Sequence, residues 1–188
     1  MPDLDPLDVD AFDIDSVAVE PDYCHRCGGA LGTATMEGEE HPWCGSCELL
    51  LSRNPVPGVH VVVHDGDRVL LLDEPIPQHA GLLSLPGGHA RPDEGPREAG
   101  VRELEEETGL RAAPDDLRFL TIVHAEYPDV ALYLITYGLA RSATSGTLAP
   151  EADGFEVAFR PVEALRDSPD RLRASDLERI ELALESAG

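Results

Sequence analysis

A dense run of carboxylates between Gly88 and Leu110, with the sequence GHARPDEGPREAGVRELEEETGL, constrains this chain more than any other feature. Six of these 23 residues are glutamates, and few apolar residues separate them. Like charges three or four positions apart on a helix repel each other by roughly 0.2–0.5 kcal/mol per pair. Because this density opposes folding, we expect a hard divalent cation to bind the carboxylates.

The same run predicts a helix over roughly residues 96 to 108. Gly95 can occupy the N-cap position, and Pro96 fits the first helical position, where its missing N–H would be unpaired anyway. Glu98 favours the positive end of the helix dipole. Gly109 can end the helix in a left-handed conformation. The predicted helix therefore has a start signal and a stop signal.

Two opposite faces of this helix are expected to differ in chemistry, at about 100° of rotation per residue. The residues expected on the packed face are Val101, Leu104 and Thr108. The carboxylates expected to point together from the opposite face are those of Glu103, Glu106 and Glu107. Arg102 lies beside them and can pair with Glu94 in the preceding loop. The alternative is a solvated acidic helix, but a pattern that includes an arginine and two glycines favours a metal site.

The run resembles the signature of the Nudix hydrolases, glycine-x5-Glu-x7-Arg-Glu-apolar-x-Glu-Glu-x-Gly-apolar, at every specified position. Leu85-Pro86-Gly87-Gly88 leads into it as in that family. The resemblance implies an α/β/α sandwich with a mixed sheet over residues 55–188. It also implies Mg²⁺- or Mn²⁺-dependent cleavage of a diphosphate linked to a nucleoside. Arg91 is a departure, since relatives often carry an acidic residue there, and this affects substrate detail rather than catalysis.

The candidate metal ligands and catalytic groups lie in or near this run. We expect three side chains to bind Mg²⁺ or Mn²⁺: Glu103, Glu106 and Glu107. The resemblance adds the carbonyl oxygen of Gly88. Arg102 and Glu94 are expected to position the loop against the helix. The general base varies within the family; Glu106 is the first choice, and Glu151 and Asp153 in a later loop are alternatives.

Four cysteines predict a second metal site of a different kind. They form two Cys-x2-Cys pairs, Cys24 with Cys27 and Cys44 with Cys47. This spacing is typical of structural zinc sites with four thiolates, which leave no open position for water. The alternative, two disulfides, requires an oxidising compartment. A zinc ribbon that precedes a Nudix box also resembles relatives of the NADH pyrophosphatases.

The domain organisation follows from these two motifs. We expect an acidic extension over residues 1–20, a zinc ribbon over 21–54 and a Nudix domain over 55–188. Alternating or continuous apolar runs predict strands at 58–65, 68–73, 117–124, 130–139 and 155–160. Apolar residues near helical spacing predict a last helix from about residue 175, with Ser175 as a candidate N-cap.

The charge and composition of the chain bear on its partners, its source and its location. Asp and Glu number 37 against 14 Lys and Arg, all of them arginine, which gives a net charge of −23. This balance disfavours nonspecific nucleic-acid binding. The lysine-free, acidic composition resembles proteins of salt-accumulating archaea, and a GC-rich genome is the milder explanation. No apolar run approaches the roughly 20 residues that span a bilayer, and the N-terminus lacks signal-peptide features, so a cytoplasmic location is the default expectation.

The substrate is the least determined feature of the sequence. A nucleotide-type small molecule, most simply an ADP-ribose-like nucleotide sugar, is the leading expectation. The Ser-Gln-Pro-Trp-Pro-Phe-Pro run of NADH pyrophosphatases is missing after Leu110. Tyr127-Pro128 matches features of both ADP-ribose and dinucleoside-polyphosphate relatives, and Tyr127 is a candidate for stacking on a base. A dinucleoside-polyphosphate or NAD(H) pyrophosphatase is therefore an alternative. A nucleotide-sensing module without hydrolysis, with the ribbon as docking site, is another, and a homodimer is left open.

Overall fold

A seven-stranded sheet forms the centre of the computed structural model, which describes residues 21–51, 55–73, 81–126, 131–151, 155–173 and 175–186. Its strands are β4 (Val56–Asp65), β5 (Arg68–Asp73), β6 (Leu83–Ser84), β7 (Gly87–His89), β9 (Arg118–Glu126), β10 (Ala131–Ala140) and β12 (Val157–Pro161). The main strands follow the order β12-β5-β4-β10-β9, and β6 pairs with β5 and β7 with β4. Because β10 runs parallel to β4 while β5, β6, β7 and β12 pair antiparallel, the sheet is mixed, as predicted.

Helices cover both faces of this sheet. They are α1 (Pro96–Thr108), α2 (Val162–Arg166) and α3 (Asp176–Glu185). Single turns of 3₁₀ helix occupy Pro114–Asp116, Arg141–Ala143 and Pro169–Arg171. A small antiparallel pair joins β8 (Leu110–Arg111) to β11 (Ser145–Gly146). The α/β/α sandwich expected from the sequence is confirmed.

Alternation along β4 separates two apolar cores. Val59, Val61 and Val63 pack with Leu104 of α1 on one face. Val62, from the same strand, packs with α2 and α3 on the other face. Successive side chains of a strand point to opposite faces, so a strand buried on both sides carries a continuous valine run. This arrangement places α1 against the centre of the sheet.

A separate small sheet contains the cysteine region. It consists of β1 (Gly32–Met36), β2 (Glu39–Cys44) and β3 (Leu49–Leu50), all antiparallel. By its internal contacts the chain divides into two compact units, Met1–Pro55 with Glu126–Ala131 and Val56–Ala125 with Leu132–Gly188. The expected extension at residues 1–20 lies outside the described residues. The three-part domain division stays a prediction.

The five predicted strands are present, each with ends within two residues of the expected ones. The last helix is also present, but its start differs from the expectation. Ser175 has a left-handed backbone, with φ 71°, and its side chain makes no capping hydrogen bond. Alongside Ile180, α3 also buries Asp176 and Arg179, which apolar spacing alone does not predict. Within the described residues, no helix is long and apolar enough to cross a membrane.

Candidate active site on helix α1

Helix α1 has the bounds expected from its end signals. Gly95 is the N-cap residue, and its N–H donates to Glu98 Oε2 at 2.7 Å. Gly109 ends the helix with φ 71°, a conformation that glycine adopts without the steric cost of a Cβ. Leu104 and Thr108 are fully buried on the packed face, and Val101 is half-buried. The helix is thereby fixed in rotation, and its glutamate-bearing face points away from the core.

Arg102 connects this face to the preceding loop. Its Nε and Nη2 donate to the two carboxylate oxygens of Glu94, at 3.0 and 2.5 Å, and Nη2 also donates to the carbonyl oxygen of His89 at 3.1 Å. Nη1 donates to Glu103 Oε1 at 2.7 Å and to Glu106 Oε2 at 2.9 Å. The expected pair with Glu94 is therefore present, in the bidentate geometry that arginine favours.

This contact determines the charge of Glu94. The hydrogen bonds from Arg102 lower the pKa of the Glu94 carboxyl to about 2, and the backbone N–H of Arg91 contributes, at 2.8 Å. The same contact raises the pKa of the Arg102 guanidinium. Both groups are thus ionised at any ordinary pH, and the loop stays bound to the helix.

Glu107 and Glu106 contact donors that the sequence does not reveal. The backbone N–H of Gly87, in β7, donates to Glu107 Oε2 at 2.8 Å. The exposed guanidinium of Arg91 lies 3.4 Å from Glu106 Oε1. Both contacts depend on how the loop between β7 and α1 folds back, so no local pattern could have found them.

Gly88 and Glu103 approach each other so closely that a side chain at position 88 would displace the Glu103 carboxylate. A Cβ built on Gly88 would lie 2.5 Å from Glu103 Oε1 and 2.6 Å from its carboxyl carbon. The Glu103 carboxylate therefore lies against the backbone of β7 at Gly88. Carboxylate and backbone carbonyl oxygens are the ligands that hard divalent cations prefer.

The carboxylate oxygens of Glu103, Glu106 and Glu107 were expected to point together, but they do not form one compact group. Glu103 and Glu106 accept hydrogen bonds from Arg102, whereas Glu107 accepts one from Gly87. Groups of three or more His, Cys, Asp or Glu side chains can hold a metal ion when their ligand atoms all lie within 4.8 Å of one another. In the described parts of the chain, the four cysteines are the one such group. The three carboxylates belong to one helix, but they accept hydrogen bonds from different donors.

The cysteines form a compact cluster within the first unit. The four Sγ atoms all lie within 4.8 Å of one another, and those of Cys27 and Cys44 are 3.6 Å apart. Tetrahedral Zn–S bonds of about 2.3 Å place sulfurs about 3.8 Å apart. All four cysteines are free of disulfides. The cluster could therefore hold a zinc ion. The structure does not contain the two disulfides that the sequence left open as an alternative.

The cysteine environments are unequal. Backbone N–H groups of Cys27 and Arg26 lower the pKa of the Cys24 thiol to about 6. The Cys27 sulfur and burial raise the pKa of the Cys47 thiol to about 12. Sulfurs this close compete for a single negative charge, which is the situation that a bound cation relieves.

Three candidate residues remain: Glu151, Asp153 and Tyr127. Glu151 is exposed in the loop that precedes β12. Asp153 and Tyr127 lie outside the described residues. Their proposed roles as base and base-stacking group stay predictions.

Comparison with known proteins places this geometry in a family. The NUDIX domain model matches residues 54–182. The m7GpppN-mRNA hydrolase NUDT17 of Danio rerio is 34% identical over 108 residues, which are 50% of this chain and 35% of that protein. The chain thus spans about a third of the length of this curated relative.

Solved structures share the fold of the second unit. The ORF135 protein of E. coli superposes with a TM-score of 0.58 at 26% identity, covering 72% of this chain and 94% of that one. The NUDIX domain of Shewanella oneidensis NrtR, solved in complex with ADP ribose, superposes with a TM-score of 0.59 at 22% identity. The match covers 73% of this chain and 91% of that one. Since the family model matches residues 54–182, well over half of the sequence, the chain belongs to the NUDIX domain family.

Proposed function

We propose that this protein hydrolyses a phosphoanhydride bond in a nucleoside diphosphate linked to another moiety, most simply an ADP-ribose-like nucleotide sugar, with Mg²⁺ or Mn²⁺. The observation that carries the proposal is the intact oxygen-donor set of α1 and its loop, held by the Arg102 network. The NrtR domain bound to ADP ribose and the mRNA-cap hydrolase both support a nucleotide diphosphate as substrate.

The metal ligands that we propose belong to this donor set. We propose that Glu103, Glu106, Glu107 and the carbonyl oxygen of Gly88 bind the divalent cation. When bound, this cation neutralises the diphosphate and lowers the pKa of the attacking water. The ion pair of Arg102 with Glu94 holds the loop against α1, and the Glu103 carboxylate lies against the backbone of Gly88.

The chain itself supplies the proton acceptor. The side chain of Glu106 is 44% exposed and that of Glu103 is 14% exposed, so the Glu106 carboxylate can reach a water molecule at the substrate. Water adds to one phosphorus, the bridging P–O bond breaks, and the water proton passes to the base while the second phosphate leaves. Glu151 and Asp153 are the alternative bases.

The ribbon has a structural role in this proposal. We propose that residues 21–54 form a domain that zinc holds together through Cys24, Cys27, Cys44 and Cys47. Four thiolates leave no position for water, so this site does not catalyse hydrolysis. A homodimer is a further proposal, which light scattering of the purified protein can test.

A substrate screen tests the proposed function. ADP-ribose, NADH, a dinucleoside polyphosphate and a capped dinucleotide are each incubated with Mg²⁺ or Mn²⁺ at low and molar salt, and products are resolved by mass. We expect ADP-ribose to give AMP and ribose 5-phosphate at the highest kcat/KM. Preference for the dinucleotides would favour the alternative pyrophosphatase, and tight binding without turnover would favour a sensing module.

Gly88→Ala is expected to reduce turnover much more than stability. The new Cβ would overlap the Glu103 carboxylate, which is the end of a flexible side chain and can move away. We expect turnover to fall by about 10- to 100-fold, as when a metal ligand is misoriented, with little change in melting temperature. Gly32→Ala is the matched control, because its nearest atom is 3.9 Å away. Unchanged turnover in Gly88→Ala would contradict the assignment of this contact.

We propose that the native state requires high salt. At a net charge of −23, many carboxylates lie within the Debye length, which is about 30 Å at 0.01 M but about 3 Å at 1 M. The melting temperature should therefore rise with KCl, and Mg²⁺ should partly replace KCl because it binds the native state selectively. A melting temperature that is flat from about 0.05 to about 2 M KCl would rule out this proposal.

A further inference from the structure

A buried polar cluster lies on the face of the sheet opposite α1. Arg179 of α3 is only 2% exposed, and Thr136 and Asp176 are fully buried. Arg179 Nη1 lies 2.7 Å from His60 Nδ1 and donates to Thr136 Oγ1 at 3.1 Å, while Nη2 contacts Asp176. His60 and Thr136 are register partners on β4 and β10. The cluster thus joins α3 to the two central strands.

The contact with Arg179 fixes the state of the His60 ring. An arginine can only donate, so Nδ1 of His60 accepts and its remaining proton is on Nε2. Burial, reinforced by the positive charge of Arg179, lowers the pKa of His60 to about 3, so the ring is neutral. A neutral ring with one fixed tautomer has one orientation relative to β4.

This orientation matters because His60 lies against Gly87. The two residues are register partners on β4 and β7. A Cβ built on Gly87 would lie 2.4 Å from His60 Cδ2 and 2.1 Å from the carbonyl oxygen of Val59. The ring and the backbone of β4 therefore define where Gly87 can lie.

Gly87 in turn holds Glu107, through its N–H at 2.8 Å from Oε2. A continuous chain of contacts consequently runs from α3, through the sheet, to a carboxylate of α1. Burying an arginine and an aspartate is costly, and apolar replacements of such clusters are often neutral or stabilising. A role beyond packing explains why this core contains charges.

We propose that Arg179 and His60 form a positioning pair that sets the Gly87 amide and thereby orients Glu107 for the divalent cation. This inference rests on the proposed role of Glu107 as a metal ligand. Neither residue touches substrate. Both act through the backbone of β7, from the side of the sheet remote from the reaction.

The variant His60→Asn distinguishes a role of His60 in positioning Gly87 from a role in the stability of the buried cluster. The asparagine oxygen can replace Nδ1 as acceptor for Arg179, whereas the ring atoms that contact Gly87 are lost. The first measurement is the affinity of the metal-free protein for Mn²⁺ alone, by titration. We expect it to fall by about 10- to 100-fold, the usual effect of losing a group that orients a ligand, with kcat reduced and KM little changed.

The second measurement needs no metal. The amide resonance of Gly87 in a ¹⁵N spectrum reports its hydrogen bond to Glu107. We expect this resonance to shift in Arg179→Met, which leaves the His60 ring in the sequence, and Arg179→Lys to restore it in part because lysine keeps the charge and a donor.

Ile180→Ala is the control for damage to the same core. Ile180 is a fully buried neighbour on α3 and belongs to the second apolar cluster. Its variant should melt at a lower temperature and yet bind Mn²⁺ like the wild type. If His60→Asn and Arg179→Met both bind Mn²⁺ like the wild type and Arg179→Met leaves the Gly87 resonance in place, the positioning role is wrong.

Glu107→Gln distinguishes this failure from that of the proposed function. If Glu107→Gln loses Mn²⁺ binding while His60→Asn retains it, only the positioning pair is disproved. If Glu107→Gln itself binds Mn²⁺ like the wild type, Glu107 is not a metal ligand and the positioning proposal fails with that assignment.

Discussion

Glu107→Gln and Glu106→Gln are each expected to lower the turnover of a diphosphate substrate by at least about a hundredfold, the upper end of what misorienting a metal ligand costs. Each substitution removes a charge from the proposed cation site while nearly preserving the volume of the side chain. Glutamine at position 107 can still accept the N–H of Gly87. The fold should therefore persist, and relief of like-charge repulsion can slightly raise the melting temperature of the metal-free protein.

Glu105→Gln is the matched control on the same helix. Glu105 pairs with Arg111 at 2.6 Å and is about half exposed, away from the Arg102 network. Its substitution makes the same change in charge, and we expect turnover near that of the wild type. Near-wild-type turnover of both Glu106→Gln and Glu107→Gln at saturating Mg²⁺, or an equal loss in Glu105→Gln, would contradict the metal-site assignment.

Cys44→Ser is expected to abolish zinc binding and unfold the ribbon. Structural zinc contributes about 10–16 kcal/mol to folding in small ribbon-like peptides, and β1–β3 bury little apolar surface that could replace it. We expect one zinc per chain in wild-type protein purified without added zinc. Trp43, the one tryptophan of the sequence, precedes Cys44 in β2, so its fluorescence reports ribbon unfolding specifically.

Ser46→Ala provides the comparison for this experiment. Ser46 is exposed in the turn between Cys44 and Cys47, and its side chain is not among the proposed ligands. This variant should retain one zinc and the fluorescence of the folded ribbon. A wild-type protein that contains no zinc and shows two disulfides by mass would overturn both the zinc site and the expected reducing compartment.

The helix and the main strands could be predicted because their signals are local. Pro96 and Gly109 mark the two ends of α1, and the valine and leucine runs mark β4 and β5. A match to the Nudix pattern also gave the identity of the carboxylates. These features depend on residues within a few positions of one another, which is what periodicity and capping rules describe.

The contacts that complete the site could not be predicted in this way. The Gly87 N–H donates to Glu107, and the Arg91 guanidinium donates to Glu106. Both contacts form because β7 pairs with β4 and thereby lies next to α1. The burial of Arg179 depends on His60, which is 119 residues away in sequence. The spacing of apolar residues in α3 predicted an apolar face, and it did not predict that the charged side chain of Arg179 is buried in that face.

Hydrolysis of ADP-ribose in ¹⁸O-labelled water, with Mg²⁺ and after its removal by a chelator, tests the central claim most directly. The account predicts that AMP and ribose 5-phosphate form only with the divalent metal, that one ¹⁸O enters one of the two phosphates, and that Glu107→Gln forms neither product at a comparable rate. Product formation that persists without divalent metal, or is unaffected by Glu107→Gln, would contradict it.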